Sequence, residues 1–185
     1  MSQGQVFILP VPVVFAIDDG AGEGKYHHIP DETYLIVKQQ MPIFCVDVVA
    51  IDRTKQVFYL AQRREPPRQG WWWFGGRVGQ DESPHRAASR ILEREVGLKL
   101  ESTRFKMVGV VFHYINEPNS PGRTFPTVQL AFEPTVEELA TIRLAPSEYE
   151  AASGTRTFTR DNLVAYDVHS TVIAVYDCVF PPPRR

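Results

Sequence analysis

Apolar and polar positions alternate with different periods along the chain, and those periods predict its elements. Residues 42–52, PIFCVDVVAID, are apolar at nearly every position and rich in β-branched side chains, the pattern of a central strand buried on both faces. After the polar RTK, VFYLAQR (57–63) reads as a partner strand and GWWWF (70–74) as another. FKMVGVVFHYI (105–115) and TVQLAFEP (127–134) supply two more. Strict alternation along GWWWF turns Trp71 and Trp73 to one face and Trp72 and Phe74 to the other. Helical stretches interleave over 84–96, 135–141 and 160–177, and Asp31 is placed to cap a short helix within IPDETYLIVKQQ. Strands mixed with helices, without a regular βαβ rhythm, predict an α+β domain with a mixed sheet sandwiched between helices. This domain spans 29–180. Residues 1–28 read as an extension with an extended pair and a loose DDGAGEGKYHH connection, and the tail 181–185, PPPRR, frays.

Composition narrows the classes of function. A chain of 185 residues suits one domain with a substantial core. Its formal net charge of −2 offers no basic arm for nucleic acid and no patch for an anionic membrane. The longest apolar run, VFILPVPVVFAI (6–17), is too short to span a bilayer and contains two prolines. It follows no basic segment, so it does not read as a secretory signal, and the chain is expected in the cytoplasm. Cys45 and Cys178 both lie in apolar strings, which predicts buried free thiols and no disulfide framework.

Candidate chemistry concentrates in GGRVGQDESPHRAASRILEREVGL (75–98). Ser83 followed by Pro84 is a strong helix start, and Gly97 supplies the left-handed stop. The stretch is a glycine-rich loop, about three turns of helix and a second loop. Over about 76–98 it resembles the Nudix box, G-x5-E-x7-R-E-U-x-E-E-x-G-U with U aliphatic. Gly76, Glu82, Arg90, Leu92, Glu95, Gly97 and Leu98 fall in register. The resemblance implies a Nudix-type α/β/α sandwich. Two positions depart from the box. Three glutamates at i, i+3 and i+4 would share one helix face and hold two or three hard cations against a diphosphate. Here those positions are Ile91, Arg94 and Glu95, so only one carboxylate remains.

That loss resembles the GDP-mannose mannosyl hydrolase branch of the superfamily, and the likeness covers roughly residues 29–165. It implies a single divalent ion, Mg²⁺ or Mn²⁺, held by Glu95 and the carbonyl of Gly75. Water would attack the sugar carbon of a nucleoside-diphosphate sugar. MPIFCVDVV (41–49) carries the branch's active-site aspartate at Asp47, AQRREPPRQGWWWFGGRV (61–78) its arginines at Arg63 and Arg77, and GVVFHY (109–114) its histidine at His113. The residues support these roles independently. Asp47 is a charge within an otherwise apolar strand, which has to be paired or to line a cleft. Arg63 and Arg77 can make bidentate contacts with a diphosphate leaving group. Trp72 is a candidate to flank the substrate. The branch's general base, a histidine beside a metal-binding glutamine, corresponds here to Tyr149 and Glu150 in LAPSEYEAAS, so Glu148 and Glu150 become the candidate bases. Thr127 stands where the branch has a tyrosine. Two other readings stay open: a pyrophosphohydrolase cleaving at phosphorus, and a Nudix domain that binds a nucleotide without turning it over. Proteins of the branch are dimers, and the apolar stretch within 1–28 makes a homodimer through that segment the expected assembly.

Overall fold

The run read as a central strand becomes the middle of a seven-stranded sheet. The computed structural model describes residues 29–65, 69–115 and 123–181. In chain order the elements are α1 (Asp31–Gln40), β1 (Cys45–Asp52), β2 (Val57–Arg63), β3 (Gly70–Trp72), β4 (Phe74–Arg77) and α2 (Pro84–Val96). There follow β5 (Lys106–Ile115), β6 (Arg123–Phe132), α3 (Val136–Thr141), β7 (Thr155–Phe158), α4 (Arg160–Ala165) and α5 (Ser170–Val179). The main strand order is β3-β2-β1-β6-β5, with β4 on β1 and β7 on β2. β1 runs parallel to β6, and the other pairings are antiparallel. The fold is α+β with a mixed sheet between helices, as the pattern predicts.

Burial explains why β1 is apolar on both faces, with Asp47 as its one interior charge. Val46, Val48 and Ala50 pack with α2 residues Ala87, Ala88, Ile91 and Leu92 on one face. Val49 and Ile51 pack on the other with Leu163 of α4 and Val172 and Val175 of α5. A strand covered on both sides has no position for a solvated side chain.

The tryptophan segment departs from the predicted single strand. β1 and β2 pair near their turn, Asp52 with Val57 and Ala50 with Tyr59, and then diverge. Residues 70–77 enter the split as a wedge. β3 pairs with β2, Trp72 opposite Ala61, and β4 pairs with β1, Phe74 opposite Val48. Trp73 is the apex, fully buried. A wedge resets the alternation of side chains at its tip. Trp72 and Trp73 therefore both join the α4–α5 side of the core, with Trp71 packed against it, while Phe74 alone joins the α2 side.

α2 matches its predicted bounds because its ends are locally coded. Ser83 Oγ accepts from the Arg86 N–H, Pro84 opens the helix, and Gly97 ends it with φ of 74°. Other expectations are corrected. Asp31 does not cap α1: Pro30 occupies the cap position and Asp31 is the first helical residue. The stretch 160–177 is two helices, broken where Asp167 adopts φ of 50° and His169 Nδ1 caps the next helix at the Thr171 N–H. β4 and β7 were not anticipated, since short polar strands carry little periodicity. Cys45 is half-buried and Cys178 is exposed, so the second thiol does not lie in the core. Residues 1–28, with the expected extended pair and dimer contact, and 182–185 of the tail lie outside the described residues. No described helix is long and apolar enough to cross a membrane.

Gly75 faces Asp47 across β4 and β1. A Cβ there would lie 2.4 Å from Asp47 Oδ1 and 3.1 Å from the Val46 carbonyl oxygen. At Gly76 the nearest atoms it would meet belong to the Ile91 and Arg94 side chains, the closest at 3.3 Å. Gly75→Ala is expected to destabilise the fold by about 2 kcal/mol, the usual cost of overpacking, and Gly76→Ala by less, read by chemical denaturation. Burial and the neighbouring Asp47 push the Cys45 thiol up to about 12, so it holds almost no thiolate near neutrality. A thiol-titrating disulfide reagent at pH 8 is expected to label Cys178 in the native protein and Cys45 only after denaturation.

Candidate active site

The Gly75 position divides the sequence-predicted residues into two groups on opposite faces of the sheet. On the α2 face the centre is Glu95, which is 2% exposed. Its Oε1 accepts from Arg94 Nη2 at 2.6 Å, and its Oε2 accepts from the Tyr149 hydroxyl at 2.6 Å and from the Gly75 N–H at 3.4 Å. Burial raises the Glu95 pKa, and the bonds from Tyr149 and Arg94 oppose that shift. Burial, followed by the charge of Glu95, pushes the Tyr149 hydroxyl well above its ordinary value. Tyr149 therefore remains a donor.

Backbone pairing delivers the late loop to this place. The Arg64 N–H donates to the Glu148 carbonyl at 2.9 Å and the Glu150 N–H to the Gln62 carbonyl at 2.8 Å, clipping 148–150 onto the end of β2. Tyr149 is thereby buried edge-on against Phe74 at 5.7 Å. Glu148 pairs with Arg63 at 3.1 Å and is 33% exposed, so this carboxylate meets both the cluster and solvent. Glu150 stands apart, 4.0 Å from Arg64 and more exposed. Arg63 Nε is buried without a hydrogen-bond partner among the described residues.

The box loop is stapled to α2 by Glu82 and Arg90. Arg90 Nε and Nη2 donate to the two Glu82 oxygens at 2.8 and 2.7 Å, and Nη2 also to the Arg77 carbonyl at 2.8 Å. Glu82 accepts from the Gly79 N–H at 2.9 Å. These box residues hold backbone and leave no carboxylate over for other work.

On the opposite face Asp47 Oδ2 accepts from Gln129 Nε2 at 2.8 Å and lies 3.4 Å from His113 Nε2. Gln129 is fully buried and its Oε1 has no partner among the described residues. The Trp72 ring lies 6.0 Å from His113 and 5.8 Å from His169, so Trp72 belongs to this face and not to the box helix. Arg77 pairs with Cys45 across the strands, which puts its side chain on the Asp47 side, and its guanidinium stacks 4.0 Å from the Tyr34 ring of α1. Asp47, His113, Trp72 and Arg77 are thus one group, and Arg63, Glu148 and Glu95 another, with the Gly75 backbone between them. Gln129 is the residue sequence reasoning passed over, although a glutamine inside the apolar TVQLAF was an available signal. Tyr149 stood in the late-loop pair of the resemblance without a role of its own, and tertiary packing supplies one, a donor to Glu95.

The donor set on the α2 face does not fit a divalent ion. Mg²⁺ and Mn²⁺ require oxygens with lone pairs turned inward. Glu95 is surrounded by a guanidinium, a hydroxyl and an amide, all donating to it, and Gly75 presents its N–H on that side. Ile91 is buried in the core. Among the described residues no group of three or more His, Cys, Asp or Glu is placed to hold a metal ion.

The architecture is shared with solved proteins. A MutT NUDIX hydrolase from Burkholderia pseudomallei is 25% identical, with a TM-score of 0.57 over 74% of this chain and 97% of that one. A MutT protein from Methanosarcina mazei Go1 is 19% identical, with a TM-score of 0.55 over 77% of this chain and 99% of that one. The dihydroneopterin triphosphate pyrophosphohydrolase of E. coli is 17% identical, with a TM-score of 0.51 over 75% and 96%. The last two bear on the fold alone. A NUDIX domain matches residues 41–174, most of the chain, and with the wedge, the stapled box loop and the capped box helix in place the chain belongs to the NUDIX domain family.

Proposed function

We propose that this chain hydrolyses a nucleoside-diphosphate sugar, releasing an intact nucleoside diphosphate by attack of water at the sugar carbon. The observation that carries this reading is two buried polar atoms without a hydrogen-bond partner among the described residues, the Arg63 Nε donor on one side of Gly75 and the Gln129 Oε1 acceptor on the other. Each such atom costs about 1–3 kcal/mol unless a ligand completes it. A diphosphate suits the donor, and a sugar hydroxyl suits the acceptor. Arg63, on the diphosphate side of Gly75, stabilises the charge that builds on the leaving phosphate oxygen as the carbon–oxygen bond breaks, while Arg77, on the Asp47 side, lies with the groups that hold the sugar. Glu148, the carboxylate of the cluster that meets solvent, takes the proton from the attacking water. Asp47, Gln129 and His113 hold the hydroxyl-rich part of the ligand against Trp72. The branch resemblance makes GDP-mannose the first compound to test, and Thr127 in place of the branch's tyrosine keeps the choice of sugar outside the resemblance.

A second reading, a domain that binds the nucleotide without turning it over, is favoured by one observation. The last box carboxylate is closed off by Arg94 and Tyr149.

Hydrolysis of GDP-mannose and related compounds in ¹⁸O-water is expected to leave label in the free sugar and none in the nucleotide. Label on phosphate would establish the pyrophosphohydrolase reading, and binding without turnover the non-catalytic one. Glu148→Gln is expected to lower kcat by about 10²-fold, the usual loss of a general base, and by more than Glu150→Gln does. Equal effects would remove Glu148 from the role.

A further inference from the structure

Of the three box positions at 91, 94 and 95, only Glu95 keeps a carboxylate, and its occupancy by donors raises the question of what stands where the box resemblance implies a divalent ion. We infer that Arg94 is a built-in cation in that place, and that the protein binds the phosphate groups of its ligand on Arg94 without a metal.

The geometry carries this in three steps. First, Arg94 Nη2 lies 2.6 Å from Glu95 Oε1 and 3.4 Å from the point where a Gly76 Cβ would stand. The guanidinium therefore sits in the angle between the box carboxylate and the glycine backbone. Second, the charge is already balanced. Glu95 pairs with Arg94 and Glu148 with Arg63, two carboxylates against two guanidiniums, so an added divalent ion would bring uncompensated positive charge beside the buried Glu95. Third, the two partners of the Arg94–Glu95 pair differ in exposure. The Glu95 side chain is 2% exposed and that of Arg94 50%. A guanidinium has five N–H donors, and one nitrogen engaged with Glu95 leaves the solvent side of the fork for an anion. A bound metal recruits phosphate by charge and open coordination positions. Arg94 offers charge and a planar fork at the same point, anchored by a buried carboxylate.

The nucleoside diphosphate used as a probe rests on the function proposed above, whereas the metal titration does not. Mn²⁺ followed by electron paramagnetic resonance is expected to show no site at Glu95 in the unaltered protein. Arg94→Glu, at a half-exposed position, is expected to gain one, and adding Glu95→Gln in that background to remove it. Mn²⁺ bound by the unaltered protein and lost in Glu95→Gln would overturn the inference, as would an Arg94→Glu protein that gains no site while keeping its circular dichroism spectrum. In calorimetry, affinity for GDP and UDP is expected to stay within about threefold between Mg²⁺ and EDTA, and to fall roughly tenfold or more in Arg94→Ala, the loss expected of a charged hydrogen bond. A tenfold or larger loss in EDTA would overturn it. If neither nucleotide binds, the proposed ligand class fails and the Mn²⁺ titration still decides the role of Arg94.

Discussion

A carboxylate that is buried must be answered by donors, and Glu95 sets that requirement at the centre of the domain. Losing one partner of a buried charge typically costs about 3–5 kcal/mol, so the groups around it are not free to drift. Three segments distant in sequence supply the answer: Arg94 from the helix itself, Tyr149 from the late loop and the Gly75 amide from the wedge. The clipping of 148–150 onto β2 and the insertion of 70–77 between β1 and β2 both serve to bring those donors within reach. Sheet, helix and loop meet at one side chain.

The wedge is what makes the site two-sided. Because β1 and β2 diverge, the backbone at Gly75 is all that separates the Asp47 carboxylate from that of Glu95. Gly75 lacks a Cβ on the Asp47 side and turns its N–H to Glu95. A ligand bound at the open end of this split meets arginine and carboxylate chemistry on one face and the Asp47–Gln129–His113 group, backed by Trp72, on the other. The proposed division of labour, diphosphate on one side and hydroxyls on the other, follows from this partition. Glu82 and Arg90 staple the loop that follows Arg77 to the box helix.

Features coded within a few residues were legible in the sequence. The ends of α2 follow from Ser83, Pro84 and Gly97, whose effects act through neighbouring backbone groups and do not depend on the rest of the fold. The centrality of β1 follows from a run that is apolar on both faces apart from Asp47 and the terminal Asp52, a pattern that a strand with an open face does not carry. The box register identified Glu95 and the absence of its two companion carboxylates. By contrast, the break of 160–177 depends on one left-handed residue, Asp167, which apolar periodicity does not register. The alternation assigned to the tryptophans failed because it assumes a single straight strand, whereas Trp73 is the tip of a wedge.

The sequence by itself determined the family, the sheet-and-helix class, the box helix and the inventory of charged residues able to act. What only the tertiary structure decided is how those charges are spent. Arg94 and Glu95 are neighbours in sequence, yet whether they pair or diverge depends on the burial imposed by β4 and the late loop. Glu148 and Glu150 are indistinguishable in LAPSEYEAAS, but the bonds that clip 148–150 onto β2 turn Glu148 to Arg63 and leave Glu150 with Arg64. The reason is physical. Capping and periodicity act over one or two turns of backbone, whereas the pairing of buried charges is settled by which distant segments exclude water from them.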